Sequence, residues 1–527
     1  KYKNKSGRIM PSLVTDNFRV FAAEQFIESL AEPFDSSNNQ EADSSAAAQS
    51  YRSKIYLFIG RAQNWNEEKY SVSPWSPGTT DQSPPDVQDS FNDSNEIYDD
   101  MIAVKRVNST DVSKVIRRIT YKPNVKYDMY RNDYTSSNTS LNGHSNLYDS
   151  QSYVVNSNFE VFKCIFNGKS PDFPQGKAST VEPTGSSTTI QTLADDYRWK
   201  YMYTISISDY IKFVSSDFMP VKVDSTVSAA AADGAIEQYL VDTKGSSNPI
   251  NTVKYCPVLG DGTTNAIAKV TINASGEIES IVSEVIGAGY TRARVMLNEA
   301  YATSVAAGSR SGSTVSLSGT ATAVISPPGG HGANPPLELG GYRVMINKSL
   351  EFLDGDGDIP VNSQFRRFGL ISDPKVASGA TDLTSDTATA CFAVKFPAST
   401  NVNFTLGEII TEDGTGAKGR VIHWDSVTKV LRYYQNEYID ALQATPAQYK
   451  SIPFSGNRVI KQGSGANQIS ATPDSAADSA VFGVTFTDGY AVPEIKKNSG
   501  NIIYVENRKP VNRSTDQTED IKLVIEF

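Results

Sequence analysis

The sequence predicts a mainly β, α+β protein, and three observations predict it. Tyr (26) and Phe (22) are abundant among the 527 residues, and aromatic and β-branched residues favour strands. Short apolar runs recur between stretches that contain Gly, Pro and Asn, as in strands joined by turns. The C-terminal residues alternate with period two, which is typical of a strand. One face carries Ile521, Leu523, Ile525 and Phe527, and the other carries Lys522, Val524 and Glu526.

Composition and charge narrow the class of protein. Hydrophobic residues make up 39% of the chain and charged residues 20%, which is typical of a folded protein. The length predicts roughly three or four domains. The net charge of −10 disfavours a nucleic-acid partner, which needs a basic face. The best basic run, Lys114, Arg117, Arg118 and Lys122, is more typical of a solvated surface than of a binding patch.

The three cysteines, Cys164, Cys256 and Cys391, lie far apart in apolar runs. Their spacing matches no zinc site, so we expect buried, reduced thiols, as in a protein that folds in the reducing cytoplasm. No apolar run approaches the roughly 18 residues that span a bilayer, and no signal peptide is recognisable. The sequence therefore predicts no membrane partner.

The first part of the chain predicts two helices among strands. Residues 13–30 predict a helix capped by Thr15 or Asp16, and residues 86–105 predict a second helix. Their apolar faces are expected to pack on the core, with a partner contact as the alternative. These faces consist of Phe18, Phe21, Ala22, Phe26 and Leu30, and of Phe91, Tyr98, Met101 and Ile102. Strands are predicted at 55–60, 112–121, 153–166 and 197–207.

Residues 61–85, which include Pro and Trp residues, predict a loop. Its aromatic residues Trp65, Tyr70 and Trp75 have little reason to lie in the core. Trp and Tyr are enriched at the energetic centres of protein interfaces. The sequence therefore predicts that these three side chains contact a partner.

Most of the remaining chain predicts strands. They are expected at 266–272, 277–285 and 314–325, in a meander at 404–411, 419–425 and 429–435, and at 502–505 and 521–527. A polar connection is predicted between the last two strands, over 506–510 and 516–520. Pro510 has no N–H to donate, which fits a loop or a sheet edge.

Signals for catalysis are weak. The three histidines, His144, His331 and His423, show no spacing that suits a metal, and no G-x-S-x-G elbow is present. A spatial Ser–His–Asp triad or a pair of carboxylates stays open. His331 lies among Gly and Pro residues and is expected in an exposed loop, as the most plausible contact residue of the three.

Two motif-like runs are better explained as turns. Residues 414–419 satisfy G-x-G-x-x-G, but a strand is predicted where a dinucleotide site needs a helix. Residues 354–358 resemble the start of a calcium loop, but Ile359 and Phe365 stand where Gly and Glu are required. An acidic turn is therefore expected there, with a weak cation site as the alternative. The sequence predicts no catalytic, metal or cofactor site.

The run YVENRKPVNRSTDQTEDIKLVIEF at 504–527 resembles the C-terminus of the T-even-type phage baseplate wedge protein family, wedge subunit eight. The shared pattern is an aromatic residue, then E-N-R-x-P, then D-Q-T-E-D-I and an apolar finish. Further parts of the resemblance lie in Ile59-Gly60-Arg61, Trp65, Pro84-Pro85, Val115-Ile116-Arg117-Arg118, Tyr127-Asp128-Met129-Tyr130 and Arg366-Arg367-Phe368-Gly369-Leu370-Ile371.

The resemblance implies a two-layer β-sandwich core with peripheral helices and a structural, non-enzymatic role. It also implies a homodimer within each wedge that binds wedge subunits six, seven and ten. The location implied is the tail baseplate of the virion, after assembly in the host cytoplasm. The implied mechanism is a baseplate rearrangement that triggers sheath contraction. Besides the loop aromatics, the candidate interface residues are Arg117, Arg118 and Arg508, and Arg508 is expected to hold the C-terminal connection to a carboxylate.

The same comparison predicts how the chain is divided. The core is expected in three parts, 1–223, 336–387 and 483–527. Residues 224–335, where aromatic residues become rarer, predict an inserted all-β module, and residues 388–482 predict a second, smaller one.

Two other functions stay open. The all-β modules would suit a receptor-binding or fibre-attachment tail protein that binds glycans or cells through 224–335 or 388–480. An envelope-degrading tail enzyme is the other alternative, and it would lose its activity when one or two carboxylates are replaced.

Overall fold

A computed structural model describes residues 13–31, 54–67, 80–303, 313–351, 359–436, 452–476, 480–481 and 484–527. Within these residues the chain is rich in antiparallel strands and poor in helix, which confirms the predicted mainly β class and is consistent with a sandwich-type fold. The helices are α1 (Asp16–Ala31), α2 (Phe91–Asp99), α3 (Ile207–Phe213), α4 (Ser225–Ala229) and α5 (Pro335–Glu338).

The strands of the first half are β1 (Ile55–Gly60), β2 (Met101–Arg106), β3 (Val112–Arg117), β4 (Tyr153–Val155), β5 (Glu160–Asn167), β6 (Gln191–Thr192), β7 (Tyr197–Thr204), β8 (Phe218–Pro220), β9 (Ile236–Thr243), β10 (Thr252–Gly260), β11 (Ile267–Ile272) and β12 (Ile278–Val285). Those of the second half are β13 (Ala293–Val295), β14 (Thr320–Ile325), β15 (Arg343–Leu350), β16 (Ser363–Ser372), β17 (Thr387–Thr389), β18 (Phe392–Lys395), β19 (Ile409–Glu412), β20 (Lys418–Asp425), β21 (Val430–Tyr434), β22 (Ile460–Gln462), β23 (Ile469–Ala471), β24 (Ala480–Val481), β25 (Val484–Thr485), β26 (Tyr490–Ala491), β27 (Asn501–Arg513) and β28 (Glu519–Glu526).

The chain forms two compact units. Unit 1 comprises Lys1–Gln25, Ser113–Met345 and Val524–Phe527, and unit 2 comprises Phe26–Val112 and Ile346–Leu523. The predicted division into a three-part core and two inserted modules is a different partition and stays a prediction.

Unit 1 contains two sheets of four strands, ordered β4-β5-β7-β6 and β12-β11-β10-β13, and the pair β14-β9. Aromatic rings fill the core beside the first sheet. The ring of Trp199 lies 5.5 Å from that of Tyr197 and 5.8 Å from that of Tyr127. The hydroxyls of Tyr197 and Tyr127 donate to the carbonyls of Lys177 and Lys122. These hydrogen bonds satisfy the polar ends of rings whose apolar bodies are buried.

The second sheet of unit 1 is organised around the ring of Tyr290, which is only 3% exposed. A Cβ atom at Gly262 would lie 2.4 Å from this ring, and one at Gly260 would lie 2.8 Å from it. The hydroxyl of Tyr290 accepts a hydrogen bond from the amide of Ala266 at 2.9 Å. These glycines are therefore required because a side chain there would displace the buried tyrosine.

Unit 2 contains a five-stranded sheet, ordered β17-β2-β1-β16-β27, and a seven-stranded sheet, ordered β23-β22-β19-β20-β21-β18-β26. All six residues of β1 are buried, as its apolar sequence predicts. The predicted meander is confirmed, since β20 pairs antiparallel with both β19 and β21. Residues 414–419 lie at the β19–β20 turn, which confirms a hairpin rather than a dinucleotide site.

The predicted helix over 86–105 is wrong in its second half. The side chain of Ser90 accepts from the amide of Asp93 at 3.1 Å and caps α2, but the helix ends at Asp99. Residues 101–106 form β2, whose first four residues are buried. Their apolar run is continuous, so it suits a strand buried on both faces rather than one face of a helix.

The predicted connection over 506–510 is also wrong, because these residues belong to β27. The charged residues at 506–509 are typical of a loop, and the sequence does not reveal that they pair with the distant strand β16. The interpretation of Pro510 as a sheet-edge residue agrees with the sheet order, in which β27 is the outermost strand.

Helix α1 confirms the predicted N-terminal helix, and Thr15 accepts from the amide of Phe18 at 3.3 Å as a cap. Its predicted core face is wrong in part. Phe18 is 62% exposed and Phe21 is 56% exposed, whereas Val20 and Ala23 are buried. Leu30, which was predicted on the core face, is buried as well, so the rings of Phe18 and Phe21 face outward while Val20, Ala23 and Leu30 pack inward.

Candidate functional site

The candidate site lies in unit 2, where β27 meets the loop that follows β1. Strand β27 is 13 residues long and pairs antiparallel with β16, from Asn501 opposite Ser372 to Arg513 opposite Ser363. Tyr504, Glu506 and Arg508 alternate along it and therefore share a face. The carboxylate of Glu506 accepts from the hydroxyl of Tyr504 at 2.8 Å and from Nε of Arg508 at 2.7 Å. Arg508 is thus paired with a carboxylate, as expected, and that carboxylate belongs to its own strand.

The pairing between β27 and β16 contains an irregularity. Val511 lies opposite Phe365 and Asn507 lies opposite Arg367, so three residues of β27, at 508–510, bulge where β16 has one. A bulge frees backbone groups from the ladder. The indole Nε1 of Trp65 donates to the carbonyl of Arg508 at 2.7 Å, and so satisfies a group that the bulge turns away from β16.

Trp65 is completely buried. The guanidinium carbon of Arg61 lies 4.5 Å from the centre of the Trp65 ring, and that of Arg367 lies 5.5 Å from it. Arginine is attracted to the face of an aromatic ring at such distances. The expectation that Trp65 lies outside the core is therefore wrong, because its buried ring contacts two arginines and its N–H donates to a carbonyl of the bulge.

Arg366 joins the two ends of the loop to the sheet. Its Nε and Nη2 donate to the two oxygens of Asp81, both at 2.9 Å, and its Nη1 donates to the carbonyl of Ala62 at 2.6 Å. Partial burial acts to raise the pKa of Asp81, but the hydrogen bonds from Arg366 and from the amide of Trp65 outweigh it and hold that pKa below its usual range. A bidentate pair of this kind fixes orientation as well as distance.

Asp100 is the second carboxylate of the site. Its two oxygens each accept from Nη1 of Arg367 at 3.1 Å, and Arg61 lies 3.6 Å away. The three side chains are 3% to 4% exposed. Because a buried charge is costly unless it is paired, this arrangement holds each group in one position. We call Arg61, Trp65, Asp81, Asp100, Arg366 and Arg367 the arginine cluster.

The arginine cluster brings together segments that are far apart in the chain. They are the I-G-R run at the end of β1, the R-R-F-G run of β16 and the E-N-R-x-P run of β27, all of which carry the resemblance given above. Pro85 belongs to a fourth segment, and its carbonyl accepts from the side-chain amide of Asn507 at 3.1 Å. The site consists of arginines, carboxylates, an indole and backbone carbonyls. Hydrogen bonds among these groups hold the loop segments 61–67 and 80–86 in place.

Sequence reasoning missed most of this cluster. Of its six residues only Trp65 was predicted as a site residue, and it was expected at an interface, as was Arg508, whose carbonyl accepts from Trp65. An available signal was the position of Arg366 and Arg367 within a strand that is otherwise buried, since buried charges need partners. The sequence does not reveal that Asp81 and Asp100 are those partners, because their pairing depends on the fold.

The other predicted interface residues lie elsewhere. Tyr70 and Trp75 lie outside the described residues, as does the acidic turn at 354–358. Arg117 and Arg118 belong to unit 1, where Arg117 is exposed and Nη1 of Arg118 donates to the carbonyl of Ser215 at 3.0 Å. An interface role for these residues stays a prediction.

The expectation that His331 lies in an exposed loop is wrong. It is 4% exposed, and its Nδ1 lies 2.5 Å from a carboxylate oxygen of Glu338, at the end of α5. The flanking residues Gly330 and Gly332 have positive φ values of 91° and 85°. This left-handed backbone, which glycine adopts without strain, folds the loop so that the ring lies inside.

The remaining predictions concern the cysteines, metal ions and membrane spans. All three cysteines are buried and unpaired, which confirms the predicted buried thiols. The described residues contain no group of His, Cys, Asp and Glu arranged to hold a metal ion. No helix within the described ranges is long and apolar enough to cross a membrane.

Comparison with known proteins gives one finding that bears on this site. No curated protein matches the chain. A family model described as Phage-Gp8, Bacteriophage T4 Gp8, matches residues 436–527. The matched segment contains β27, the bulge and β28. Over this C-terminal part of the chain, the match confirms the resemblance to a T4-type phage baseplate wedge protein.

Proposed function

We propose that this chain is a structural subunit of the baseplate wedge of a contractile-tailed phage. It takes part in baseplate assembly and in the rearrangement that triggers sheath contraction. The observation that carries the proposal is the family match over 436–527, because the matched segment includes the strand that the arginine cluster holds in place.

The arginine cluster supports a mechanical role. A subunit that transmits a rearrangement has to move as a rigid body while its contacts exchange. Ion pairs of Arg366 and Arg367 hold the loop segments 61–67 and 80–86 against β16, and the hydrogen bond of Trp65 joins the loop to the edge strand β27. We infer that the cluster keeps this edge of unit 2 in one shape while neighbouring subunits move.

Partners follow from the same proposal. We infer contacts with other wedge proteins, subunits six, seven and ten by resemblance, and a homodimer within each wedge. The location proposed is the tail baseplate of the virion, after assembly in the host cytoplasm, and the role is non-enzymatic. The outward rings of Phe18 and Phe21 on α1 support a contact surface, because large exposed apolar groups are typical of interfaces.

Co-sedimentation tests the proposal. The full chain is expressed together with the other wedge proteins of the same phage, and the lysate is separated on a density gradient. We expect the chain to sediment with these proteins and faster than the chain expressed alone. Sedimentation at the position of the isolated chain, while the other subunits assemble without it, would contradict a role in the wedge.

A further inference from the structure

A cavity of about 700 Å³ opens on unit 1. Its wall is formed by the segment 130–148, by the turn at 289–291 and by the segment 325–338. Its volume is in the range of about 300–1,000 Å³ that is typical of small-molecule sites. Nothing in the proposed wedge function requires such a cavity.

The floor of the cavity is fixed by a buried polar group. Glu338 lines it, and its two carboxylate oxygens accept from Nδ1 of His331 at 2.5 Å and from the amide of Gly332 at 2.8 Å. The ring of Tyr130 lies edge-on to His331 at 4.5 Å, and its hydroxyl donates to the carbonyl of Ile325 at 3.1 Å. Each group of the floor is already paired, so the floor is preformed.

The rim, in contrast, offers unused hydrogen-bonding groups. Asn17, Ser145 and Tyr148 line the cavity, and their side chains have no hydrogen-bond partner among the described residues. The side-chain nitrogen of Asn132 likewise has no partner among the described residues. Its side-chain oxygen accepts a hydrogen bond from the amide of Ile325 at 3.4 Å. The half-buried rings of Tyr134 and Tyr148 stand beside these groups.

The charges of the lining exclude two classes of ligand. Arg131 is the basic residue among the described lining residues, and Asp133 accepts from its Nε and Nη2 at 2.7 Å and 2.6 Å. An anion would therefore find no uncompensated positive charge. A cation is disfavoured as well, because the two lining carboxylates are already engaged. Both oxygens of Glu338 accept hydrogen bonds, and Asp233 accepts from the amide of Gly329 at 2.7 Å.

We propose that this cavity binds a neutral saccharide. Sugar rings present apolar C–H faces that pack on tyrosine, and hydroxyls that pair with amide and hydroxyl side chains. The lining combines these two features, tyrosine rings with uncharged donors and acceptors, over a paired and rigid floor. This binding is independent of the wedge function and goes beyond it.

Saturation-transfer NMR on the full chain tests the proposal. The probes are methyl α-D-glucopyranoside, methyl α-D-galactopyranoside, N-acetyl-D-glucosamine and L-rhamnose. We expect transfer to at least one of them. Tyr148→Ala should weaken that binding roughly fivefold, as expected for the loss of one aromatic contact. Tyr210→Ala is the matched control, because Tyr210 is a half-exposed tyrosine of unit 1 that does not line the cavity, and it should bind as the parent chain does.

A second variant separates binding from folding. Asn132 is exposed, so Asn132→Ala should keep the thermal midpoint of the parent chain and still weaken sugar binding. The proposal is overturned if none of the four sugars receives saturation, or if both rim variants bind the sugar as the parent chain does. Either result leaves the co-sedimentation of the wedge subunits unaffected, so the two proposals fail separately.

Discussion

At the scale of residues, the position of Trp65 explains why three arginines are accommodated inside unit 2. Its ring contacts Arg61 and Arg367, and its N–H satisfies the carbonyl of Arg508. The carboxylates of Asp81 and Asp100 compensate the charges. Each member of the cluster therefore depends on another, and removal of one leaves a buried group without its partner.

Replacing Trp65 tests this dependence. Trp65→Ala should lower the free energy of unfolding of unit 2 by about 3–5 kcal/mol, as for other buried aromatic residues. Trp65→Phe keeps a ring and deletes the N–H, so it should cost about 1–3 kcal/mol, the penalty for a buried carbonyl that loses its partner. Urea unfolding followed by fluorescence measures both. An unchanged midpoint for Trp65→Ala would show that the ring does not support the fold.

The pair between Asp81 and Arg366 predicts a pH dependence. The pKa of Asp81 is lower in the folded chain than in the unfolded chain, where a value of about 4 is usual. Its stabilising contribution is therefore complete above about pH 4 and is lost as the pH falls through the folded value. Asp81→Asn should unfold more easily at neutral pH, and its loss of stability below pH 4 should be smaller than that of the parent chain.

Urea midpoints measured from pH 7 to pH 2 give both quantities. Asp172→Asn is the control, since Asp172 forms an exposed ion pair with Lys244 in unit 1, and exposed pairs contribute little. If the urea midpoints of Asp81→Asn and of the parent chain fall in parallel with pH, Asp81 does not contribute the predicted pH-dependent stability.

At the scale of elements, strand β27 and helix α1 show the limits of sequence reasoning. The strand β1 and the meander were predictable because their buried residues form short apolar runs in the sequence. The strand at 506–510 was not predictable from the sequence. A bulge that contains Arg508 and Pro510 interrupts the alternation, and the partner strand β16 is distant in the chain. Helix α1 was predictable by spacing, but which of its faces is buried depends on packing.

The outward face of α1 predicts a separation between folding and assembly. The double variant Phe18→Ser and Phe21→Ser removes two rings that are more than half exposed, so the free energy of unfolding should change by less than about 0.5 kcal/mol for each. Sedimentation with the other wedge proteins should weaken, because exposed aromatic anchors contribute to interfaces.

A control in the same helix completes the experiment. Val20→Ala truncates a buried side chain and should lower stability without removing the aromatic face. Normal assembly of the double variant would exclude this face of α1 as a contact surface.

At the scale of the whole molecule, the division into two units could not be predicted from the sequence. Unit 2 forms from two distant stretches of the chain, as the pairing of Ile55 with Ser372 shows. The change of composition near residue 224 indicates a change of local structure, but it does not reveal which strands pair. The candidate site was predictable only as separate motifs, since the sequence shows the I-G-R, R-R-F-G and E-N-R-x-P runs but not their convergence on Trp65.

The position of the chain in the virion tests most directly whether it is a structural part of the phage baseplate. Antibodies raised against the chain and coupled to gold are applied to intact virions under the electron microscope. We predict label on the plate at the end of the tail. Label at the tips of the tail fibres would favour a receptor-binding protein, and virions without label would contradict a structural role in the particle.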